Sequence, residues 1–213
     1  MIVPLLCVGL VFVVLCVSEI LWRAKLVRGE QGRKFVHIFV GTFVAFWPFV
    51  MSFRAVQFIS LAFLLGIVVS RQLNIFHAIH AVKRKSWGEV LFALSIALLA
   101  AVSPDKWIFA AAILHMGLAD GLAAIIGDRY GKHNRYKILG QMKSLFGSLA
   151  FLVVSGAIVA GFVLFGPAGF STTALPALLW LPLAATFLEN VSPKGTDNVF
   201  VPLLVAAMLG LLY

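Results

Sequence analysis

Residues 144–165 read SLFGSLAFLVVSGAIVAGFVLF, a run of 22 residues without one charged side chain. Crossing the hydrocarbon core of a bilayer takes about 20 residues of helix. A single run of this kind is also typical of a buried helix in a soluble protein, but similar runs recur along the chain. They cover residues 2–22, 35–52, 54–70, 88–103, 107–127, 144–165, 174–190 and 198–213. The sequence therefore predicts an all-α, polytopic membrane bundle of seven or eight transmembrane helices, with eight preferred, in one domain over residues 1–213.

The composition favours the same class of protein. Of the 213 residues, 62% are hydrophobic and 12% are charged, and the mean hydropathy is +1.05. A soluble domain carries roughly 25% charged residues. A net charge of +9 would suggest nucleic-acid binding in a soluble protein. Here the basic residues stand in short loops beside apolar runs, so we expect no nucleic-acid partner and instead contact with lipid headgroups or phosphates.

The first apolar run gives little information on compartment. Cys7 and Cys16 both lie in it and show no metal-ligand spacing. The run lacks a basic start and a small-residue cleavage site. We therefore expect a retained first helix rather than a signal peptide.

Lysine and arginine fall in alternate loops. Fifteen of the 17 basic residues lie in the odd-numbered loops, whereas the even-numbered loops hold only Arg54 and Lys106. Because basic loops stay in the cytoplasm, the odd-numbered loops are predicted to be cytoplasmic and both termini non-cytoplasmic. Four loop segments that carry motifs would then face the cytoplasm, at residues 23–37, 71–89, 127–144 and 190–198.

Acidic residues gather at the same predicted face. Six of the eight are expected there: Glu30, Glu89, Asp120, Asp128, Glu189 and Asp197. Acids close to the membrane are costly, and they usually persist in ion pairs or as site residues. A mixture of carboxylates and basic residues suits a metal–polyphosphate complex, because carboxylates bind Mg²⁺ while Lys and Arg bind phosphate oxygens.

The start of the second helix carries a polar stripe. Its members are spaced by three, four, seven and eleven residues from the first, so that they share one helical face: Glu30, Arg33, Lys34, His37 and Gly41. The alternative interpretation is that the basic side chains extend to the membrane interface and that the histidine is satisfied internally.

Residues 119–132, ADGLAAIIGDRYGK, form the most informative single segment. Asp120 lies about five residues before the point at which the fifth helix is predicted to reach the aqueous side. The small residues around it allow close helix packing or the close approach of a ligand. Packing alone does not account for a buried aspartate. The glycines of this segment do not match a Walker A loop, because their spacing is too short and His133 follows the lysine.

Two further segments add polar groups beside apolar runs. Lys143 and Ser144 open the sixth helix, followed by Gly147 and Ser148, where free N–H groups attract anions and a serine can also serve as a simple cap. Residues 189–198, ENVSPKGTDN, form a polar turn before the last helix. The basic run Lys83-Arg84-Lys85 before Glu89 is typical of a topology signal, and Glu89 itself could complement a helix dipole.

These segments, in this order, resemble the CTP-dependent lipid alcohol kinases, which comprise dolichol kinase, phytol kinase and the fungal-type diacylglycerol kinase. The resemblance covers roughly residues 30–202. Its most specific parts are Arg33-Lys34…His37…Gly41, Asp120-Gly121…Gly127…Gly131, Lys143-Ser144…Gly147-Ser148 and Glu189…Asp197-Asn198…Pro202. The resemblance implies a polytopic helical fold and transfer of the γ-phosphate of CTP, with Mg²⁺, to the hydroxyl of a membrane lipid alcohol.

The resemblance also leads to a hypothesis for the site. Asp120 and Asp197 would bind Mg²⁺, with Asp128 or Glu89 as further ligands. The nucleotide and its phosphates would be held by Arg33, Lys34, Lys132, Lys143, Ser144, Gly147, Ser148 and Asn198. A carboxylate, Asp120 or Asp197, would accept the proton of the acceptor hydroxyl, with His37 as second choice.

Three other functions are alternatives to a lipid alcohol kinase. The CDP-alcohol phosphotransferases share the start Asp120-Gly121-Leu-Ala-Ala, but Ile125 stands where that family has Arg and no Asp-x-x-x-Asp pair follows, so we reject this family. A CTP-dependent lipid cytidylyltransferase also uses CTP and Mg²⁺ and is the runner-up. A small transporter is less favoured, because the half of the chain away from the motif loops offers no polar path. The acceptor lipid itself is beyond reach of the sequence.

Overall fold

The computed structural model describes residues 2–27, 30–73, 87–166 and 175–212. The predicted topology signal Lys83-Arg84-Lys85 lies outside the described residues. Within them, helices dominate and one short hairpin interrupts them. The elements in chain order are α1 (Ile2–Arg23), α2 (Glu30–Ala45), a 3₁₀ turn (Trp47–Phe49), α3 (Phe53–Gln72), α4 (Gly88–Val102), α5 (Lys106–Leu114), a π-helical turn (His115–Ala119), α6 (Asp120–Tyr130), β1 (Arg135–Ile138), β2 (Gln141–Ser144), α7 (Leu145–Phe165), α8 (Ala177–Val191) and α9 (Asp197–Leu212).

The predicted all-α membrane bundle is confirmed. Four helical runs are long and apolar enough to cross a bilayer: Ile2–Arg23, Phe53–Gln72, Lys106–Tyr130 and Leu145–Phe165. Shorter apolar helices accompany them in α4, α8 and α9. The number of eight spans stays a prediction.

The run formed by α5, the π turn and α6 is the centre of the bundle. In its most apolar stretch 72% of the residues are buried, against 17% in both α1 and α3. The π turn is stabilised by His115, whose Nδ1 lies 2.7 Å from the carbonyl oxygen of Ala111 and whose Nε2 lies 2.8 Å from Ser155 Oγ on α7. One extra residue per turn changes which side chains face inward, and π turns are frequent at functional sites. Here the turn ends directly before Asp120.

Helix α2 begins earlier than hydropathy indicates. The predicted run started at residue 35, but the helix begins at Glu30 and ends at Ala45, before a 3₁₀ turn that contains Pro48. Arg33 and Lys34 are only 3% exposed. Both side chains face the interior of the bundle rather than lipid headgroups. The helix therefore includes charged positions that a hydropathy window excludes.

Two glycines let α2 cross the central run at very short distance. A Cβ atom added at Gly41 would lie 2.7 Å from the Cα of Gly117, and one added at Gly117 would lie 2.8 Å from the Cα of Gly41. Backbone atoms on both sides leave no flexible group to yield. The small-residue contact therefore fixes the position of α2 against the π turn.

We expect Gly41→Ala to destabilise the protein strongly, because the added methyl group would push the backbones of α2 and the π turn apart. Gly156→Ala on α7 is the matched control, since nothing lies within 4 Å of its Cβ position and alanine favours helix by about 1 kcal/mol over glycine. Thermal unfolding in detergent should show a lower midpoint for the first variant only. Equal midpoints would contradict the close crossing.

The hairpin β1–β2 was not predicted, since residues 127–144 were assigned to a loop. Its strands pair antiparallel, with Arg135 opposite Ser144, and its two-residue turn has positive φ at Leu139 (45°) and Gly140 (79°), as type I′ turns require. Gln141 Nε2 donates a hydrogen bond of 2.8 Å to the carbonyl oxygen of Ser192. The hairpin thereby packs against the end of α8.

Candidate active site

Polar segments that are distant in sequence meet at one end of the bundle. The backbone N–H of Trp87 donates to the carbonyl oxygen of Lys194 at 3.1 Å. Asn198 Nδ2 donates to the carbonyl oxygen of Gly88 at 2.8 Å. These bonds join the turn before α9 to the start of α4. The same end of the bundle also contains the hairpin, the C-terminal part of α6 and the start of α2. The ion pairs described below require this arrangement.

Three carboxylates converge there: Asp120, Glu189 and Asp197. One oxygen from each lies within 4.8 Å of the others. They come from the start of α6, the last turn of α8 and the start of α9, respectively. Three like charges at this distance repel each other strongly where water is scarce. The arrangement therefore needs cations, and the described residues supply at least two.

The first cation is Lys34, which forms a buried ion pair with Asp120. The lysine is 3% and the aspartate 7% exposed. Close packing of α2 on α6 enforces this pairing, because a Cβ atom added at Gly121 would lie 2.2 Å from Ile38 Cγ1. The close packing of α2 on α6 therefore accounts for the glycine at position 121, and the ion pair with Lys34 accounts for the burial of Asp120.

The second cation is Lys143 on β2, which forms an ion pair with Glu189 and also donates to the carbonyl oxygen of Glu189 at 3.0 Å. Burial disfavours the charged lysine, but the carboxylates of Glu189, Asp197 and Asp120 outweigh this effect and raise the pKa of Lys143 above its ordinary value. Lys143 is therefore a permanent cation at neutral pH. The hairpin positions the Lys143 ammonium group beside the three carboxylates.

The third carboxylate, Asp197, is only partly buried, and its Oδ1 accepts a hydrogen bond of 3.1 Å from the N–H of Asn198. It interacts electrostatically with Lys34, Lys143 and Arg33. Asn198 is 2% exposed, and its Oδ1 has no hydrogen-bond partner among the described residues. A partly accessible carboxylate thus stands next in sequence to a buried acceptor that has no partner among the described residues.

His37 lies deeper in the bundle, one turn along α2 from Lys34. It is 3% exposed, and its ring lies against Phe92 of α4 with centroids 4.4 Å apart. In the described part of the chain, neither of its ring nitrogens has a hydrogen-bond partner. The interpretation as an internally satisfied histidine therefore does not match these contacts. His37 also interacts electrostatically with Asp120 and lies one turn from Lys34, the ion-pair partner of Asp120, so it is near the carboxylate cluster.

Three of the predicted site residues are not brought to the cluster. Glu89 lies 3.9 Å from Arg71 of α3. Asp128 has a side chain that is 61% exposed and lies 3.7 Å from Arg135. Lys132 is exposed in the turn after α6. Glu89 and Asp128 thus sit in separate ion pairs, outside the group of three carboxylates.

The predicted anion-binding helix start shows capping and packing contacts. Ser144 Oγ accepts from the N–H of Gly147 at 3.1 Å, which makes it the N-cap of α7. A Cβ atom added at Gly131 would lie 2.4 Å from Ser144 Cβ, and one at Gly127 would lie 2.7 Å from Ser144 Oγ. Ser148 Oγ donates to Asn190 Oδ1 at 3.0 Å. A role of this helix start in nucleotide binding stays a prediction.

Sequence reasoning placed Glu189 in the polar turn but did not assign it a ligand role. The available signal was an acid within the last turn of an apolar run, which is a costly position without a partner. The sequence also provides no indication that Tyr136 makes contacts near the site. Its hydroxyl group contacts Ser148 Oγ at 2.6 Å and donates to Asn190 Oδ1, so it connects the hairpin to α7 and α8.

Comparison with known proteins agrees with the resemblance noted in the sequence. The chain is 37% identical over 196 residues to the phytol kinase of Synechocystis sp., an alignment that covers 89% of this chain and 82% of that protein. It is 34% identical over 118 residues to the dolichol kinase of Saccharomyces cerevisiae, which covers 55% of this chain and 21% of that protein. No family model and no solved structure gives a match. The chain belongs to the phytol kinase and dolichol kinase family of membrane lipid alcohol kinases.

Proposed function

We propose that this lipid alcohol kinase transfers the γ-phosphate of CTP to the hydroxyl group of an isoprenoid alcohol such as phytol or a polyprenol, with Mg²⁺ as cofactor. The observation that supports it is the cluster of Asp120, Glu189 and Asp197 beside Lys34 and Lys143. CTP follows from the family resemblance. The acceptor class follows from the names of the two relatives.

The residues of the cluster suit Mg²⁺. This ion prefers oxygen ligands, is usually bound by one or two carboxylates, and fills its other positions with water and phosphate oxygens. Asp120 and Asp197 would hold it, with Glu189 as the third available carboxylate. Glu89 and Asp128 are left out of this proposal because they lie outside the cluster. When bound, Mg²⁺ neutralises charge on the phosphates as the transferred group moves.

Lys34, Lys143 and Arg33 would bind the triphosphate. A lysine ammonium group is a compact charge on a flexible stem. It can leave a carboxylate for a phosphate oxygen once another cation occupies the carboxylate. In this proposal the two ion pairs hold the acids and lysines in position before the substrates arrive. The high pKa of Lys143 keeps it charged for this purpose.

The chemical step is an in-line displacement. The oxygen of the acceptor hydroxyl group forms a bond to the γ-phosphorus, the bond between that phosphorus and the β,γ-bridging oxygen breaks, and CDP leaves. The hydroxyl proton passes to a carboxylate of the cluster, Asp120 or Asp197, or alternatively to His37. Catalysis then depends mainly on positioning and charge neutralisation. We place this end of the bundle at the cytoplasmic face, where the basic loops are predicted to lie and nucleotides are present.

The test uses purified protein in nanodiscs with Mg²⁺, phytol, a polyprenol or diacylglycerol, and each of four γ-labelled nucleoside triphosphates. We expect labelled phosphate to appear on phytol or the polyprenol at least about tenfold faster from CTP than from ATP, the discrimination that ~1.4 kcal/mol provides. The nucleotide product should be CDP. Release of pyrophosphate with a CDP-lipid product would instead favour a cytidylyltransferase, and equal use of ATP would contradict CTP selectivity.

A further inference from the structure

An apolar cavity of about 90 Å³ lies between α1, α2, α3 and α4. Its walls are almost entirely aliphatic and aromatic, with side chains that include Leu15, Val40, Phe63, Phe92 and Ile96. Ser60 also lines it, but its Oγ already donates to the carbonyl oxygen of Val56 at 2.8 Å. Between its two ends the described wall is therefore apolar apart from this hydroxyl group. Trp47 Nε1, a buried donor without a partner among the described residues, lies at one end, and charged side chains lie at the other.

The charged end adjoins the candidate active site. Arg33, His37 and Glu89 line the cavity there, while Trp47 lines it at the far end of α2. His37 is 97% buried, and neither ring nitrogen has a hydrogen-bond partner among the residues described. A buried polar group that makes no hydrogen bond lowers the stability of the protein, because it has lost its contacts with water. A ligand with a hydroxyl group can donate to one ring nitrogen or accept from the other, and would remove this loss of stability.

We propose that the cavity is the binding site for the hydrocarbon chain of the acceptor alcohol, with its hydroxyl group at His37 and facing Asp120. The inference rests on the proposed function and names where its lipid substrate lies. His37 lines the cavity and is near the carboxylate cluster, so a hydroxyl group at this point is near the phosphate-transfer centre while its chain stays among apolar side chains.

The lining selects a single chain without polar groups. Diacylglycerol would bring two chains and two ester carbonyl groups into a cavity whose walls between His37 and Trp47 are almost entirely apolar, whereas an isoprenoid alcohol has its one polar group at its end. From His37 to Trp47 the chain can follow α2 over ten residues, about 15 Å at 1.5 Å per residue. Trp47 is 2% exposed and closes this stretch at its far end.

The volume indicates that side chains move when the alcohol binds. An apolar cavity of ~150 Å³ is known to hold benzene in another protein, so about 90 Å³ accommodates only the first carbons beyond the hydroxyl group. The walls formed by α1 and α3 are largely exposed, each with 17% of its apolar stretch inside the protein. Phe12 of α1 contacts Phe63 of α3 with centroids 5.7 Å apart, and separation of these rings would open the cavity to the bilayer.

The first experiment needs no phosphate transfer. A prenol of 20 carbons with a diazirine on its chain is irradiated with the wild-type protein in nanodiscs without nucleotide, and the labelled peptides are mapped. We expect labels on α3 and α4 side chains of the cavity, at least tenfold reduced by excess phytol. Labels confined to the lipid-facing surface, or unaffected by phytol, would overturn the inference even in an active kinase. Specific labelling without kinase activity would refute only the proposed function.

The second experiment narrows the cavity from two of its walls with Ala93→Phe on α4 and Ser60→Leu on α3. Each should raise the KM for phytol about tenfold and leave the KM for the nucleotide unchanged. Ala157→Phe on the exposed face of α7 is the matched control. Wild-type KM for phytol in a folded Ala93→Phe or Ser60→Leu protein would overturn the inference. If both variants fail to fold, the labelling of the wild type decides it.

Discussion

Asparagine in place of Asp120 or Asp197 is expected to lower the rate of lipid phosphorylation by at least about 10²-fold, the loss typical when a group that stabilises transition-state charge is removed. The substitution keeps the shape of the side chain and removes its negative charge. One oxygen of each carboxylate lies within 4.8 Å of the other and of Glu189. Removal of either charge therefore weakens the proposed Mg²⁺ site directly.

Two measurements separate this effect from misfolding. The Mg²⁺ concentration for half-maximal activity should rise in both variants, and stabilisation of the protein by Mg²⁺ with nucleotide, seen in thermal unfolding, should fall. Glu19→Gln is the control, because Glu19 pairs with the exposed Arg23 on α1 at 3.0 Å, away from the cluster. Near-normal activity in both aspartate variants would refute the proposed centre.

The sequence predicts how deep a residue lies in the membrane better than which way it faces. Asp120 and Asp197 were both expected near one face of the membrane, and the structure places them together. Asp128 was expected at the same face of the membrane, but it lies two turns beyond Asp120 on the same helix and faces Arg135 in solvent. Hydropathy carries no information on the rotation of α6 or α4, so Asp128 and Glu89 could not be distinguished from Glu189.

Local pattern also could not predict the hairpin or the contacts it makes. Four-residue strands are too short for a clear alternation, and the positive φ at Leu139 has no strong signal at a leucine. Yet the hairpin positions Lys143 against Glu189. The start of α2 at Glu30 was indicated by the polar stripe and not by hydropathy, because Arg33 and Lys34 interrupt the apolar run although both are buried. In both cases an ion pair between distant segments stabilises a structure that the pattern of neighbouring residues does not indicate.

Lys34→Met is expected to destabilise the protein by about 3–5 kcal/mol, because loss of one partner of a buried ion pair leaves an uncompensated charge. Asp120 would then stand unpaired beside Glu189 and Asp197, with Lys143 already bound to Glu189. The midpoint of thermal unfolding in detergent should fall accordingly. Lys137→Met on the exposed side of the hairpin is the matched control and should change it little.

The double variant Lys34→Met/Asp120→Asn decides between ionic and steric causes. Because the second substitution removes the stranded charge, most of the lost stability should return, while lipid phosphorylation stays abolished. Mg²⁺ should raise the unfolding midpoint of the single variant more than that of the wild type, since an extra unneutralised acid is available to bind it. If the double variant is no more stable than Lys34→Met, packing around the lysine stem, rather than its charge, holds α2 against α6. In that case the ion pair between Lys34 and Asp120 does not hold the two helices together electrostatically, and Mg²⁺ does not take the place of the lysine charge.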